Sequence, residues 1–299
     1  LSTDTSSIGS YNSTDSLKTK RFIYLKNVEN VEIKGYGSIN GNGNVLRTKF
    51  GDDARMRLIM AVKSKHIVVD GLQLKDPGSW NTQILLCEQV TLSNVKILNN
   101  TQLANTDGFD PDGSAQVLIE NCFACCSDDN VAIKTTGYAG IPGVVDGITV
   151  RGCLFLTRKS ALKIGTETRG SSMKNIIFEN NDVIESDRGM AIYVSDGAIL
   201  DSILFQNNRF ERNHPDQQQK AIHFVVGKRS KDSKLGRLQN VLLLNNHFEK
   251  PFPKKSVIKY EGEGFGIDVT IDNLVIDGKK AETTVSAGIH STNAKITFK

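Results

Sequence analysis

Two short segments concentrate acidic side chains in this 299-residue chain: NTDGFDPDG holds Asp107, Asp110 and Asp112, and SDDNVAIK holds Asp128 and Asp129. Carboxylates brought close repel one another, so one keeps its proton to higher pH and can donate it while a neighbour accepts. Cleavage of a glycosidic bond uses such an acid and base pair. Aspartates in turns also bond backbone amides, the reading preferred for Asp112 in its Pro-Asp-Gly setting, and several together can ligate calcium. What separates these readings is whether Asp107 and the pair that begins 21 residues later share one surface. That depends on the elements that carry them.

Those elements repeat. The segments NVEIKG, HIVVDG, QVTLSN, QVLIEN, GITVRG, NIIFEN, SILFQN and NVLLLN recur, and the equivalent positions Ile67, Val90, Val117, Ile148, Ile176 and Ile203 stand 23, 27, 31, 28 and 27 residues apart. Each copy is too short to bury its own apolar face, so stability must come from stacking on neighbours. Most copies continue into a second strand (NCFA, GCLFL, NDVI), and many into a third (TQILLC, NVAIK, ALKIG, MAIYV, AIHFV). Three short strands per repeat, with almost nothing that reads as an amphipathic helix, predict an all-β chain wound as a single-stranded parallel β-helix. One domain is expected over 1–299, with the Ser/Thr-rich residues 1–20 as a loop or incomplete leading coil. Asn94, Cys122, Cys153, Asn181, Asn208 and Asn246 align at one turn and suggest an internal side-chain ladder.

Neighbouring strands of any sheet lie about 4.8 Å apart, so residues one coil apart should converge, here Asp107 with Asp128 and Asp129. Alternation points Ile133 and Ile164 inward and sends Lys134 and Lys163 to the outer face, together with Ala191, Tyr193 and His223. Trp80, the only tryptophan, falls on the same side, as a sugar-stacking platform or a cap over its coil. Glu167 is placed at the groove edge, to bind substrate hydroxyls or to pair with Arg169 or Arg188.

Composition narrows the partners. Thirty-seven basic and 33 acidic residues leave a net charge of +4, and GKRSKDSK is the only dense basic run, which argues against nucleic acid. No stretch approaches the roughly 18 apolar residues of a membrane span. The N-terminus carries no charged-then-apolar signal pattern. Five cysteines, an odd number without metal-ligand spacing, read as buried small hydrophobes. Neither a cofactor nor a catalytic metal is expected, and the sequence sets no oligomeric state.

The order SW, NTDGFD, SDDNVAIK, KSALKIGTE and RGMAIYV resembles the polygalacturonase-type family 28 glycoside hydrolases, with their SW-H, NTDGID, GDD-IAIK, GHG-SIGSE and RIK elements. The resemblance covers about Asn30 to Asn246. It implies a right-handed, pectin-lyase-like parallel β-helix and hydrolysis with inversion of configuration. Asp128 then matches the general acid, Asp107 and Asp129 the pair that activates water, and Asp110 a substrate contact. Lys134, Lys163, Glu167, Tyr193, His223 and Trp80 complete the expected binding set for a polysaccharide or oligosaccharide. Such an enzyme is expected to be secreted or periplasmic, in the bacterial manner.

Ser160 stands where the motif has His, and Ala191 and Tyr193 stand where it has Arg and Lys, so the sugar is expected to differ from ordinary polygalacturonate. Lys163 can restore one charge beside Ala191. Aspartates kept without the basic set also resemble the family 49 dextranases, family 87 α-1,3-glucanases and family 110 α-galactosidases. Two alternatives remain: a calcium-dependent polysaccharide lyase with Lys134 or Lys163 as base, and a non-catalytic carbohydrate-binding solenoid.

Overall fold

The computed structural model describes residues 20–137, 140–141 and 143–299. Among them, short strands stack coil upon coil into three sheets of ten strands each. The architecture is the right-handed parallel β-helix. Pairing is parallel throughout the first two sheets, and the third closes with one antiparallel pair, Leu274–Ile276 against Lys279–Ala281. The column read from the sequence is the observed register: Ile67 pairs with Val90, Val90 with Val117, Val117 with Ile148, Ile148 with Ile176, and Ile176 with Ile203.

Each strand turns alternate side chains into a continuous core, where like residues stack on like. Phe178 lies 4.8 Å from Phe205, and Phe210 lies 4.3 Å from Phe248, between ring centroids. Burying one such ring contributes about 1.5–3 kcal/mol. A coil gains that stabilisation only from the coil beside it.

The turn between the second and third sheets combines a left-handed residue with a buried partner. Asn121, Asn180, Asn207 and Asn245 hold φ between 53° and 55°, and Gly152 holds 61°. Asparagine and glycine visit this region at low cost. The next residue points inward: Asn181 Nδ2 donates to Asn208 Oδ1 at 2.9 Å, and Asn208 Nδ2 donates to Asn246 Oδ1 at 3.0 Å. Cys153 continues the column, its backbone N–H donating to Asn181 Oδ1 at 3.1 Å. Asn94 does not belong to it. With Lys96 in register with Phe123, Asn94 aligns with Asn121, left-handed at φ 54° and exposed, and Val95 occupies the ladder position. Asparagine suits both positions, so residue type alone placed it one residue off.

A second departure from the sequence reading is the helix Gly43–Phe50, followed by the 3-10 turn Gly51–Ala54. The helix buries only Gly43 and Leu46, too few positions for a visible 3.6-residue period. The expected leading segment 1–20 lies outside the described residues except for Lys20, which opens the strand Lys20–Lys26.

Candidate active site

The first sheet carries the site on its outer face, through the strands Thr82–Leu85, Phe109–Asp112, Val131–Thr135, Ser160–Thr168, Arg188–Val194 and Lys220–Val226. Asp107 precedes Phe109 by two residues and Asp129 precedes Val131 by two. Because Phe109 pairs with Val131, the two aspartates stand side by side, one coil apart. Gly108 permits this approach, since a Cβ there would meet the Asn130 carbonyl oxygen at 2.5 Å. Buried amides fix both turns: Asn99 Nδ2 donates to Thr106 O at 2.9 Å, and Asn130 Nδ2 donates to Ala124 O and Leu156 O at 2.9 and 2.8 Å. The result is that carboxylate oxygens of Asp107, Asp128 and Asp129 lie within 4.8 Å of one another.

Their surroundings drive the three apart in acidity. Burial alone would raise Asp129, but Lys163 Nζ at 2.5 Å, and then Arg188, hold it below the usual carboxylate range. Ser160 adds a backbone N–H to Asp129 Oδ1 at 2.9 Å. Asp128 is more open; burial and then the neighbouring Asp129 charge push it up. Asp107 is driven well up by burial and then by Asp110, against the pull of Lys134 Nζ at 3.4 Å. One carboxylate is therefore held ionised beside two that retain protons more strongly.

Asp110 and Lys134 do not present themselves to a sugar, contrary to expectation. Alternation does turn Lys134 out of the core, but the outer face is roofed there. Asp110 is 0% exposed and Lys134 is 3% exposed, and the two form an ion pair at 2.8 Å. Burial would lower the Lys134 ammonium, yet Asp110, Asp107 and Glu167 together raise it. Trp80 is part of the roof: Lys134 Nζ sits 3.6 Å and Arg57 Cζ 4.4 Å from its ring centroid. A ring already engaged by two cations is not a free stacking platform.

Arg57 was missed because it lies in RLIMAV, which reads as a plain apolar strand. Burial lowers its pKa to about 10, with Asp110, Asp112 and Asp107 opposing. Asp112 bonds a backbone amide as read, but across coils and buried: it accepts from Thr136 N at 2.8 Å, Thr136 Oγ1 at 2.7 Å and Gln83 Nε2 at 2.9 Å.

On the far side of the carboxylates, Lys163 pairs in register with Ala191, and Ala191 with His223. Ala191 is on the outward side but fully buried. Tyr193 Oη lies 2.8 Å from His223 Nδ1. Burial raises Tyr193 to about 12, with Arg188 opposing, and burial followed by Lys220 and Arg188 lowers His223 to about 4. Both are therefore neutral near pH 7. Glu167 pairs with neither Arg169 nor Arg188; its cation is Arg229, at 3.9 Å, which is itself held by Asp196 at 2.7 Å. Arg188 was named in the sequence only as a partner for Glu167, yet it occupies the register position beside Ser160 and acts on Asp129. All five cysteines are free, four of them buried and Cys125 partly so.

Known proteins with similar features bear on this geometry. A probable polygalacturonase of Vitis vinifera is 28% identical over 181 residues, 57% of this chain and 36% of its own length. A probable endo-xylogalacturonan hydrolase A of Aspergillus fumigatus is 30% identical over 169 residues, 54% of this chain and 40% of its own length. The chain thus spans less than half the length of either relative. The crystal structure of an exopolygalacturonase from Thermotoga maritima shares the fold, with TM-score 0.71 and 18% identity, over 94% of this chain and 73% of that one. The profile of glycosyl hydrolases family 28 matches residues 4–214, a span that takes in Asp107, Asp110, Asp112, Asp128 and Asp129 together with Lys163, Arg188 and Tyr193, and the chain belongs to that family.

Proposed function

We propose that this chain hydrolyses glycosidic bonds of a pectin-type polysaccharide, with Asp128 protonating the departing oxygen and Asp129 accepting a proton from the attacking water. Asp107 orients that water beside Asp129; its Oδ1 accepts no hydrogen bond among the described residues. The observation that carries the reading is the set of three carboxylates within 4.8 Å whose environments pull them in opposite directions. A non-catalytic solenoid could bring these carboxylates together only around a cation such as calcium, a use that the Lys163 ammonium at 2.5 Å from Asp129 opposes. The lyase alternative needs a free lysine base, whereas Lys163 is paired to Asp129 at 2.5 Å and Lys134 to Asp110 at 2.8 Å.

The sugar at the point of cleavage is proposed to differ from that of plain polygalacturonate. Ala191 and Tyr193 stand where the family motif has cations, and one relative bears the name of an endo-xylogalacturonan hydrolase. The neutral Tyr193 and His223 pair offers hydrogen bonds and an aromatic surface in their place.

Asp128→Asn tests the assignment: reducing-sugar release from pectic substrates should fall about 10²–10⁴-fold, with sugar binding and melting temperature retained. Full activity in that variant would falsify it. Inversion is part of the reading. Ordinary inverting pairs stand roughly 6.5–9.5 Å apart, and the nearest oxygens here lie within 4.8 Å. Proton NMR of the first-formed product decides the matter, and a product of retained configuration overturns direct attack by water.

A further inference from the structure

The second sheet, whose strands include Glu29–Lys34, Lys65–Asp70, Glu88–Ser93 and Ala115–Glu120, carries none of the carboxylate site but has a polar row of its own. Asn30, His66, Gln89 and Gln116 stand in one column, each between two register pairs that join successive coils. All four are exposed and left-handed, with φ of 57°, 53°, 56° and 52°. The fold needs that angle but not these side chains, since the next coil places Gly147 at the same point with φ 73°. Histidine or glutamine in this region carries a backbone cost that glycine does not, and residues held at such cost cluster where ligands are bound. At about 4.8 Å per coil, the row is about 14 Å long.

Farther along the same column the side chains are spent on the protein itself. Asn175 Nδ2 donates to Asp146 Oδ1 at 2.7 Å, Ser202 Oγ to Asp201 Oδ1 at 3.1 Å, and Asn240 Nδ2 to Asp201 Oδ1 at 2.7 Å. Among the described residues, the side chains of Asn30, His66, Gln89 and Gln116 bond no other protein group. They line a groove of about 570 Å³ that Glu32, Val68 and Thr91 complete. Val68 pairs in register with Thr91, and Thr91 with Leu118, which makes a half-buried, largely aliphatic strip beside the polar row. The charges at its edge are already matched. Glu32 pairs with Lys34 at 2.9 Å and Lys65 with Glu88 at 3.3 Å, while Asp70 accepts from Ser93 Oγ and Asn94 Nδ2 at 3.0 and 2.8 Å.

We infer that this groove binds a linear neutral glycan lying along the coils, separately from the carboxylate site. Amide side chains both donate and accept, as sugar hydroxyls do, and Val68, Thr91 and Leu118 offer an aliphatic bed for the C–H face of a pyranose ring. Matched charges leave an acidic polymer nothing to neutralise. An extended pyranose chain repeats at close to one coil, so successive sugars meet successive side chains. His66 is the only ring in the lining, so affinity for one sugar should be weak and should grow with chain length. Such a groove holds the chain on a polysaccharide whatever the carboxylates cleave, and its binding is read without activity.

The test is affinity electrophoresis of the full chain in native gels cast with xyloglucan, galactan or mixed-linkage β-glucan. Gln89→Gly, Gln116→Gly and the double variant remove the side chains where glycine suits the backbone, so melting temperatures should not fall. Each single change should weaken the affinity read from retardation about twofold to tenfold, and the double variant should lose more. Asn175→Gly, in the same column but outside the groove, should leave retardation unchanged. No retardation of the parent by any of the three polymers overturns the groove, as does equal retardation of the parent and the double variant. Release by hexagalacturonide, or loss of pectic hydrolysis in the double variant, would place the binding at the carboxylates and also overturn it. So would self-association of the parent that the double variant abolishes, because the face would then hold a second copy of the chain. Retardation lost in the double variant of a chain that hydrolyses no glycan supports the groove and overturns the hydrolase.

Discussion

At the scale of single residues, the site turns on Lys163. It touches Asp129 at 2.5 Å and is the strongest influence opposing the burial of that carboxylate. The proposed reaction requires Asp129 ionised, so activity should be lost as pH falls through the Asp129 pKa. Lys163→Met removes the cation and should move the acid limb of kcat/KM upward by about one unit or more. The alkaline limb, which the proposed mechanism assigns to Asp128, should shift up less, since Lys163 ranks behind burial and Asp129 there. A pH profile with an unmoved acid limb would remove Lys163 from this role. The aspartates were legible because a one-coil spacing is visible in sequence. Arg57 and Arg188 were not, because their partners come from coils whose register no single segment reveals. Lys134 was read outward correctly and to the wrong end, since alternation says which face a side chain takes but not whether Trp80 covers it.

At the scale of the element, the turn between the second and third sheets separates two jobs that one residue type performs. Asn208 is buried and serves three coils: it receives the Asn181 Nδ2 at 2.9 Å and backbone N–H at 3.1 Å, and donates to Asn246 Oδ1 at 3.0 Å. Asn207, beside it, is exposed and left-handed at φ 53°. Its amide joins an outer row, donating to Asn180 Oδ1 at 3.2 Å. Asn208→Ala strands buried donors and should cost about 3 kcal/mol. Asn207→Ala should cost about 1 kcal/mol, mostly from the backbone, so Asn207→Gly should recover most of that loss. Urea unfolding of the three variants is the measurement, and equal losses at the two positions would contradict the division. The same division explains the misplacement of Asn94: the strand repeat was readable to the residue, but the turn needs a dihedral angle that composition does not carry.

At the scale of the whole molecule, the stacked repeat could be read from spacing alone, whereas its buried charge balance could not. Folding carries Asp107, Asp110, Asp112 and Asp128 into places that raise their pKa values. The folded chain then binds more protons than the unfolded chain above the ordinary carboxylate pKa, so this contribution to stability falls as pH rises. Asp129, Asp70, Asp146, Asp196, Asp201 and Asp216 are lowered instead, and what they contribute is lost only below 3.8, outside that window. His223, lowered from 6.5 to about 4, opposes within it, since its contribution is lost as pH falls through the same range. A difference between two proteins cancels the histidine. Asp110 moves from 3.8 to about 6 and is fully buried, and two pKa units correspond to about 3 kcal/mol. Asp110→Asn, which mimics the protonated acid, should therefore gain about 2 kcal/mol of this relative to the parent between about pH 4.5 and pH 7, the rest falling below that interval. The sign follows because the parent must ionise a buried carboxyl over that interval and the variant has none to ionise. Urea unfolding of both proteins at the two pH values measures it, and a stability difference that stays constant would mean that Asp110 is charged throughout, its cost of burial met by Lys134.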